Sequence, residues 1–375
     1  MSAPGKFRCA VLSAVKHDYV ARGMASHPRF ELAVVADDPQ VPAWAHERNQ
    51  KLADEFRIPY VQDIEQALAE FDVQVAIVSP EAERHCDLSA RAAAAGRHVV
   101  QDKPLATCRA DADRLWNAVV YSGVKFMMWN RNFLPAVQHA RELVAAGAVG
   151  EIRVIHADFF FAKDAGPPLG SRDERESPHD WLTHQIAAHA DGSDGGLGTQ
   201  PLGELAIEGI YPLAYIQLLT GAGVKRVFAR ATAHFHQLYA DNGVEDLASV
   251  TIEMEKGLLG TLALGRIGAA SHPSGGTIKL HILGTAGGLV IDESRPAVGI
   301  YYRDQPPRQA RERRMAGDND FQLAQHFAEA IDNPDRLPVL DIFSSYAIYA
   351  TVEAALESAR TGQAVEVCSN RKEHP

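Results

Sequence analysis

Residues 96–106 read GRHVVQDKPLA, and the organisation of the chain follows from that stretch. Gly96 ends an alanine-rich helical run, as a helix C-terminus often requires. His98-Val99-Val100 is then a short apolar run of the kind that fills a buried parallel strand. The polar Gln101-Asp102-Lys103-Pro104 falls at the carboxyl end of that strand, the edge where doubly wound α/β sheets bind ligands. A residue before proline is disfavoured in the helical region, so Lys103 is expected to be extended and fixed at a ligand crevice. Lys103 is therefore the first candidate for chemistry.

Working outward towards the N-terminus, strand and helix patterns alternate. Phe7–Leu12, Glu31–Asp38, Pro59–Val61 and Val73–Val78 read as strands, the last halted by Pro80. Helical stretches lie between them, at Pro42–Phe56 and Asp63–Glu70, and His85–Ala95 leads into the opening stretch. Lys125–Trp129 is a further strand. The alternation predicts a Rossmann-type doubly wound parallel sheet over residues 1–130, a unit that commonly holds a dinucleotide. The turn after the first strand, L-S-A-V-K-H-D, contains no glycine, although a G-x-G-x-x-G pattern is expected there. A helix amino terminus still follows it, whose N–H groups can take a pyrophosphate with help from the Ser13 hydroxyl. Lys16 and His17 are near enough in sequence to pair with phosphate. Asp37 closes the second strand roughly 20 residues beyond the turn, where a ribose-binding acid is expected. A carboxylate there repels a 2′-phosphate, so NAD is favoured over NADP.

Beyond the helix Pro135–Ala146 the pattern changes. Glu151–Phe161, Val224–His236, Ala248–Glu255, Gly260–Gly265, Ile278–Leu283 and Gly288–Asp292 alternate apolar and polar residues, as strands of a large open, mostly antiparallel sheet do. One helix, Gly203–Leu219, interrupts them. Residues 131–375 are thus expected to form an α+β domain, with the helices Phe321–Asn333 and Ile342–Thr361 packing back on the first domain. The polar, aperiodic stretch Lys163–Thr199 reads as a long functional loop.

Composition narrows the function. The 375 residues are 46% hydrophobic and 23% charged, an ordinary balance for a folded chain. A formal net charge of −11 argues against nucleic acid as a partner. No run approaches the roughly 18 apolar residues of a membrane span. Cys9, Cys86, Cys108 and Cys368 stand far apart, like reduced thiols of a cytoplasmic protein. His156, His179, His184, His189, His234 and His236 include one H-x-H pair but no H-E-x-x-H spacing, and no metal is expected.

Several of these pieces taken together resemble the Gfo/Idh/MocA (glucose–fructose oxidoreductase / inositol dehydrogenase) family. They are AGRHVVQDKPLA, Val35-Ala36-Asp37, His85 before the alanine-rich helix, AAGAVGEIRVIHADF, ILGTAGGLVID and the terminal AQHFAEAI…VEAALESARTGQAVEV. The resemblance implies NAD or NADP as cofactor, a sugar, cyclitol or related polyol as substrate, and a homo-oligomer, dimer or tetramer, joined through the open sheet. It implies Ser13, His17, Asp37, Pro80, His85, Asp102 and Lys103 as cofactor-binding residues. By the same analogy Asn130, Arg131, Trp181, His184, Glu204 and Tyr211 would meet the substrate, with Lys103, Tyr211 and Glu208 catalytic. The central helix departs from the family's G-G-G-x-L-x-D-x-G-x-H. Ile207 stands at the aspartate position and Tyr211 at the histidine position, while Glu204, Glu208 and Tyr211 share one helix face. Three functions are open at this point. The first is a dehydrogenase in which Lys103 and Tyr211 move the hydroxyl proton. The second is a redox-neutral lyase, glycosidase or epimerase that oxidises a sugar transiently, with Glu204 or Glu208 as an extra base. The third is a non-catalytic ligand sensor.

Overall fold

A computed structural model describes residues 5–161, 202–266, 277–293, 297–311 and 316–368. The chain divides into two compact units. Of the described residues, the first holds those up to 130 with 316–346, and the second holds the rest. The main segment of the first unit ends at Asn130, and a C-terminal stretch joins it.

In the first unit six parallel strands are ordered β3-β2-β1-β4-β5-β6: β1 Phe7–Leu12, β2 Phe30–Ala36, β3 Tyr60–Val61, β4 Val75–Val78, β5 His98–Gln101 and β6 Phe126–Met128. This is the Rossmann order, reversing direction of growth between β1 and β4. All four residues of β4 are buried, as are Cys9–Leu12 of β1, because helices cover both faces of a parallel sheet. The helices are α1 Tyr19–Ala25, α2 Ala43–Phe56, α3 Ile64–Glu70, α4 His85–Ala94 and α5 Arg109–Ser122. Asp63 caps α3 by accepting the Gln66 N–H at 2.9 Å. Gly96, at φ 73°, makes the left-handed turn from α4 into β5, as its place in the sequence predicts. The helix Ala316–Asp332 packs on α1: His27 lies 2.7 Å from the Gln325 amide oxygen, and Arg29 makes a two-bond ion pair with Asp332 at 2.8 and 2.9 Å.

In the second unit nine strands are ordered β14-β13-β12-β11-β7-β10-β9-β8-β15. They are β7 Ile152–Phe161, β8 Val224–Thr232, β9 Leu247–Met254, β10 Leu259–Arg266, β11 Thr277–Gly284, β12 Gly287–Asp292, β13 Ala297–Tyr302, β14 Arg308–Arg311 and β15 Val365–Glu366. Only β7 and β10 pair in parallel; every other neighbouring pair runs antiparallel. On β9, Ala248, Val250, Ile252 and Met254 are buried while Ser249 and Thr251 are exposed, so one face of the sheet is core and the other faces out. The buried face is covered by α6 Pro135–Ala145, α7 Glu204–Glu208 and α8 Ile210–Thr220. α8 is apolar nearly all round and buried along its length, from Ile210 to Leu219.

Three expectations need correction. The helix foreseen as Gly203–Leu219 is two, α7 and α8, joined at Gly209. β8 ends at Thr232 rather than at His236, because Asp246 gathers the backbone N–H groups of His234, Phe235 and His236 at 2.7 to 2.9 Å and turns the chain there. The histidine pair therefore sits in a turn. The strands β13, β14 and β15 also lie beyond those read from the sequence.

Candidate functional site

At the carboxyl edge of the first unit's sheet, β1 runs into Ser13, which adopts φ 62°. A Rossmann turn places its first glycine in such a backbone position. Ser13 donates its N–H to Ala36 O at 2.8 Å and accepts the Ser79 N–H at 3.2 Å. Its hydroxyl is buried and has no hydrogen-bond partner among the described residues. The next amides are also spent internally. Ala14 N–H donates to the Asn49 side-chain oxygen at 2.8 Å, and Lys16 N–H to Ser79 O at 3.2 Å.

Asn49, on α2, reaches further. Its amide group donates to Asp37 at 2.7 Å. Asp37 also accepts from Arg84 at 2.6 Å and from the Asp38 N–H at 2.9 Å, and it is wholly buried. The Arg84 guanidinium is held on its other side by Glu81 at 2.9 Å. The carboxylate foreseen as a ribose acceptor thus has its oxygens filled by protein donors.

At the end of β5, Asp102 accepts from Ser79 and Tyr19, both at 3.1 Å, and lies 2.5 Å from the Nδ1 of His17. Burial works to raise the Asp102 carboxyl. His17 and Lys103 outweigh it and hold the group well below the usual carboxylate range. Lys103 follows, 7% exposed, with a cis peptide bond to Pro104. The turn is tied down from behind. The Gln101 amide donates to Leu105 O at 2.9 Å, and His85 lies between Pro104 O at 2.8 Å and Pro80 O at 3.2 Å. Burial lowers the His85 pKa and favours its neutral form. Pro80 and His85 act here through the backbone of the lysine turn. Asn130, buried, closes its own loop by donating to Met128 O at 2.8 Å.

In the second unit Tyr211 stacks on Phe159, with ring centres 5.9 Å apart, and the Arg131 guanidinium lies 5.6 Å from its ring centre. Arg131 forms an ion pair with Glu293, which also accepts the Tyr215 hydroxyl at 2.7 Å. Ile207 is buried, as an apolar residue at the family's aspartate position would be. Glu204 and Glu208 are buried too. Glu204 accepts from Arg266 at 2.7 Å and Tyr239 at 2.6 Å, and Glu208 from Arg266 at 3.3 Å. Glu245 accepts the Leu205 N–H at 2.9 Å, and burial pushes its carboxyl up to about 7. Trp181 and His184 lie outside the described residues. Among the described residues no group of three or more His, Cys, Asp or Glu is placed to hold a metal ion. Asn49, Arg84, Arg266, Tyr239 and Glu293 were not foreseen. The one available signal was the acidic pair Glu204/Glu208, which if buried requires a cation.

Residues 8–129 match the model of an oxidoreductase family with an NAD-binding Rossmann fold, and residues 198–290 match the Gfo/Idh/MocA C-terminal domain. The chain belongs to the Gfo/Idh/MocA family of oxidoreductases. It is 27% identical over 241 residues to a trans-1,2-dihydrobenzene-1,2-diol dehydrogenase of Mus musculus, covering 64% of this chain and 62% of that one. It is also 27% identical to a dTDP-3,4-didehydro-2,6-dideoxy-alpha-D-glucose 3-reductase of Streptomyces violaceoruber, over 53% of this chain and 51% of the relative. The chain therefore matches less than two thirds of the length of each. Among solved structures, levoglucosan dehydrogenase with NADH and L-sorbose shares the fold at a TM-score of 0.77 and 18% identity, covering 97% of this chain and 99% of that one. An oxidoreductase of Agrobacterium radiobacter, bound to NAD+, L-tartaric acid and magnesium, does so at 0.77 and 16%, covering 96% and 98%. The family's dinucleotide fits the edge described above on one count internal to this chain. The orphaned Ser13 hydroxyl stands at the turn, in the glycine conformation, lacking only an acceptor or donor from a ligand.

Proposed function

We propose that this family member is an NAD(P)-dependent oxidoreductase that moves hydride between a nicotinamide and a hydroxyl of a sugar, cyclitol or related polyol. The observation that carries it is the lysine turn: Lys103 at the carboxyl edge of a Rossmann sheet, with the Pro104 and Leu105 carbonyls after it held by His85 and Gln101. Bound nicotinamide supplies the hydride chemistry. The chain's own task is proton transfer at the substrate oxygen, which we assign to Lys103, with Tyr211 as the second hydroxyl-directed group. Asp102 is a positioning residue, an ionised acceptor beside Lys103 that fixes His17 and Tyr19. Glu204 and Glu208, foreseen as a substrate contact and a base, are better assigned to the buried Arg266 network, since neither carboxylate has an exposed face. Asp37 favours NAD over NADP through its charge, while its filled oxygens leave the ribose to other donors. Calorimetry with both cofactors tests this, and tighter NADP binding would sink it.

The activity is tested with a panel of polyols and sugars. NADH formed in step with oxidised product supports the dehydrogenase. Product formed with only catalytic NAD would move the assignment to a redox-neutral enzyme. No rise in melting temperature with NAD or NADP would leave a ligand sensor.

For assembly, we propose that the open sheet face joins copies of the chain into a dimer or tetramer. The register aligns Leu259, Val154, Leu283, Gly288 and Tyr301 across neighbouring strands, an apolar strip in which Leu259, Leu283 and Tyr301 are half exposed or more. Such strips are usually covered. Sedimentation showing only monomer at micromolar concentration would overturn it.

A further inference from the structure

The strand-to-helix turn raises a question of charge. Glycine-rich turns hold a pyrophosphate with backbone N–H groups and a helix amino terminus. Here the N–H groups of Ser13, Ala14 and Lys16 are bonded within the protein. Asp18, at the amino end of α1, adds a carboxylate there, although Arg22 pairs with it at 2.9 Å. Those three amides are already spent and offer a phosphate little.

A cation of α2 stands beside it. Arg48 of α2 is exposed, and its Nη1 donates to Val15 O at 2.6 Å, on the residue that takes the second-glycine place. In glycine-rich turns that place lets the backbone approach the pyrophosphate. The guanidinium also lies 5.5 Å from the Trp44 ring centre, which fixes its plane. Among the described residues Arg48 has no carboxylate partner, whereas Arg22, Arg84 and Arg91 nearby all do. Asn49, the next residue, ties α2 to the Ala14 N–H, so Arg48 is held in register with the turn.

We propose that Arg48 binds the pyrophosphate of the dinucleotide, replacing with a side-chain cation the contact that backbone amides make in glycine-rich turns. A guanidinium can present paired N–H donors to one phosphate, a geometry suited to this task. The inference rests on the dinucleotide reading above and deepens it.

The test uses calorimetry on the full chain with NAD, NADP, ADP and adenosine. Arg48→Gln is expected to weaken NAD and ADP alike by about tenfold to a hundredfold, the scale of a charged hydrogen bond. Adenosine, which lacks the pyrophosphate, should change by less than about twofold. Arg48→Lys should fall between, and raising salt should weaken NAD more than adenosine. An Arg48→Gln protein that melts normally and binds ADP and NAD as wild type does overturns the proposal. So does an equal loss for adenosine, or a loss confined to NADP, which would put Arg48 at the 2′-phosphate. If wild type binds none of the four ligands, the dinucleotide reading itself has failed.

Discussion

Asp102 and Glu245 are both buried acids, one in each unit, and their carboxyl groups are shifted in opposite directions. Burial opposes the charge of each. Around Asp102 the neighbours are donors and cations: His17, Ser79 and Tyr19 bond to it, and Lys103 follows it in the chain. Around Glu245 the neighbours are acids, Glu204 and Asp246, relieved mainly by backbone N–H groups. The difference teaches that depth alone says little about a buried acid. The sign of its surroundings decides whether it stays ionised, and only the first arrangement lies against a lysine at a ligand-binding edge.

The largest effect is expected where carboxylates outnumber cations. Arg266 forms ion pairs with both Glu204 and Glu208. Arg266→Met removes the guanidinium bonded to two buried carboxylates, and breaking such a pair costs about 3–5 kcal/mol. Chemical denaturation should show that loss in the second unit's transition. An unchanged midpoint would mean that the glutamates are protonated or solvated, and the contrast with Asp102 would weaken.

At the other pole, Lys103→Met should fold, keep its cofactor affinity and lose about a hundredfold or more in turnover, the scale of a general acid–base group. Methionine retains most of the length while removing the ammonium. Turnover within a few-fold of wild type, with cofactor still bound, would shift the proton chemistry to Tyr211.

Much of this contrast was legible in the residues. The β–α alternation, the Gly96 turn and the Gln101–Pro104 edge are local patterns, and local patterns follow from chain geometry. The alternating strands of the second unit were equally readable, because one covered face forces a period of two. What escaped was non-local. Asn49 meets Asp37 from 12 residues away, and Arg266 meets Glu204 from 62 residues away. No spacing rule encodes either meeting. β14, reading RQAR, has no apolar alternation because it is an edge strand with little core to face. The break at Gly209 was hidden because the apolar period runs on across it, from Leu205 to Leu219.

The effect spread most thinly, over a span of pH, is the sharpest test of the comparison, because its sign is fixed in advance. Burial pushes the Glu245 carboxyl up to about 7 in the folded protein, against 4.5 for the free side chain. Between those values the folded state holds a proton that the unfolded state has lost. Stability from this group is therefore complete below the lower value and falls as pH rises towards the higher, by up to about 1.4 kcal/mol per pH unit. Asp102 does the reverse: its contribution is present above the ordinary carboxylate range and is lost on acidification below it. His17 and His85, lowered by burial, add stability as pH rises towards their ordinary value, so the total curve mixes signs. The measurement is consequently a difference: unfolding free energy of wild type minus Glu245→Gln, taken from acid to neutral pH. Glutamine keeps the shape and the acceptor for the Leu205 N–H but cannot ionise. The difference should decline towards neutral pH. A flat difference would show that Glu245 titrates alike in both states, and a rising one that cations dominate its surroundings, as they do around Asp102.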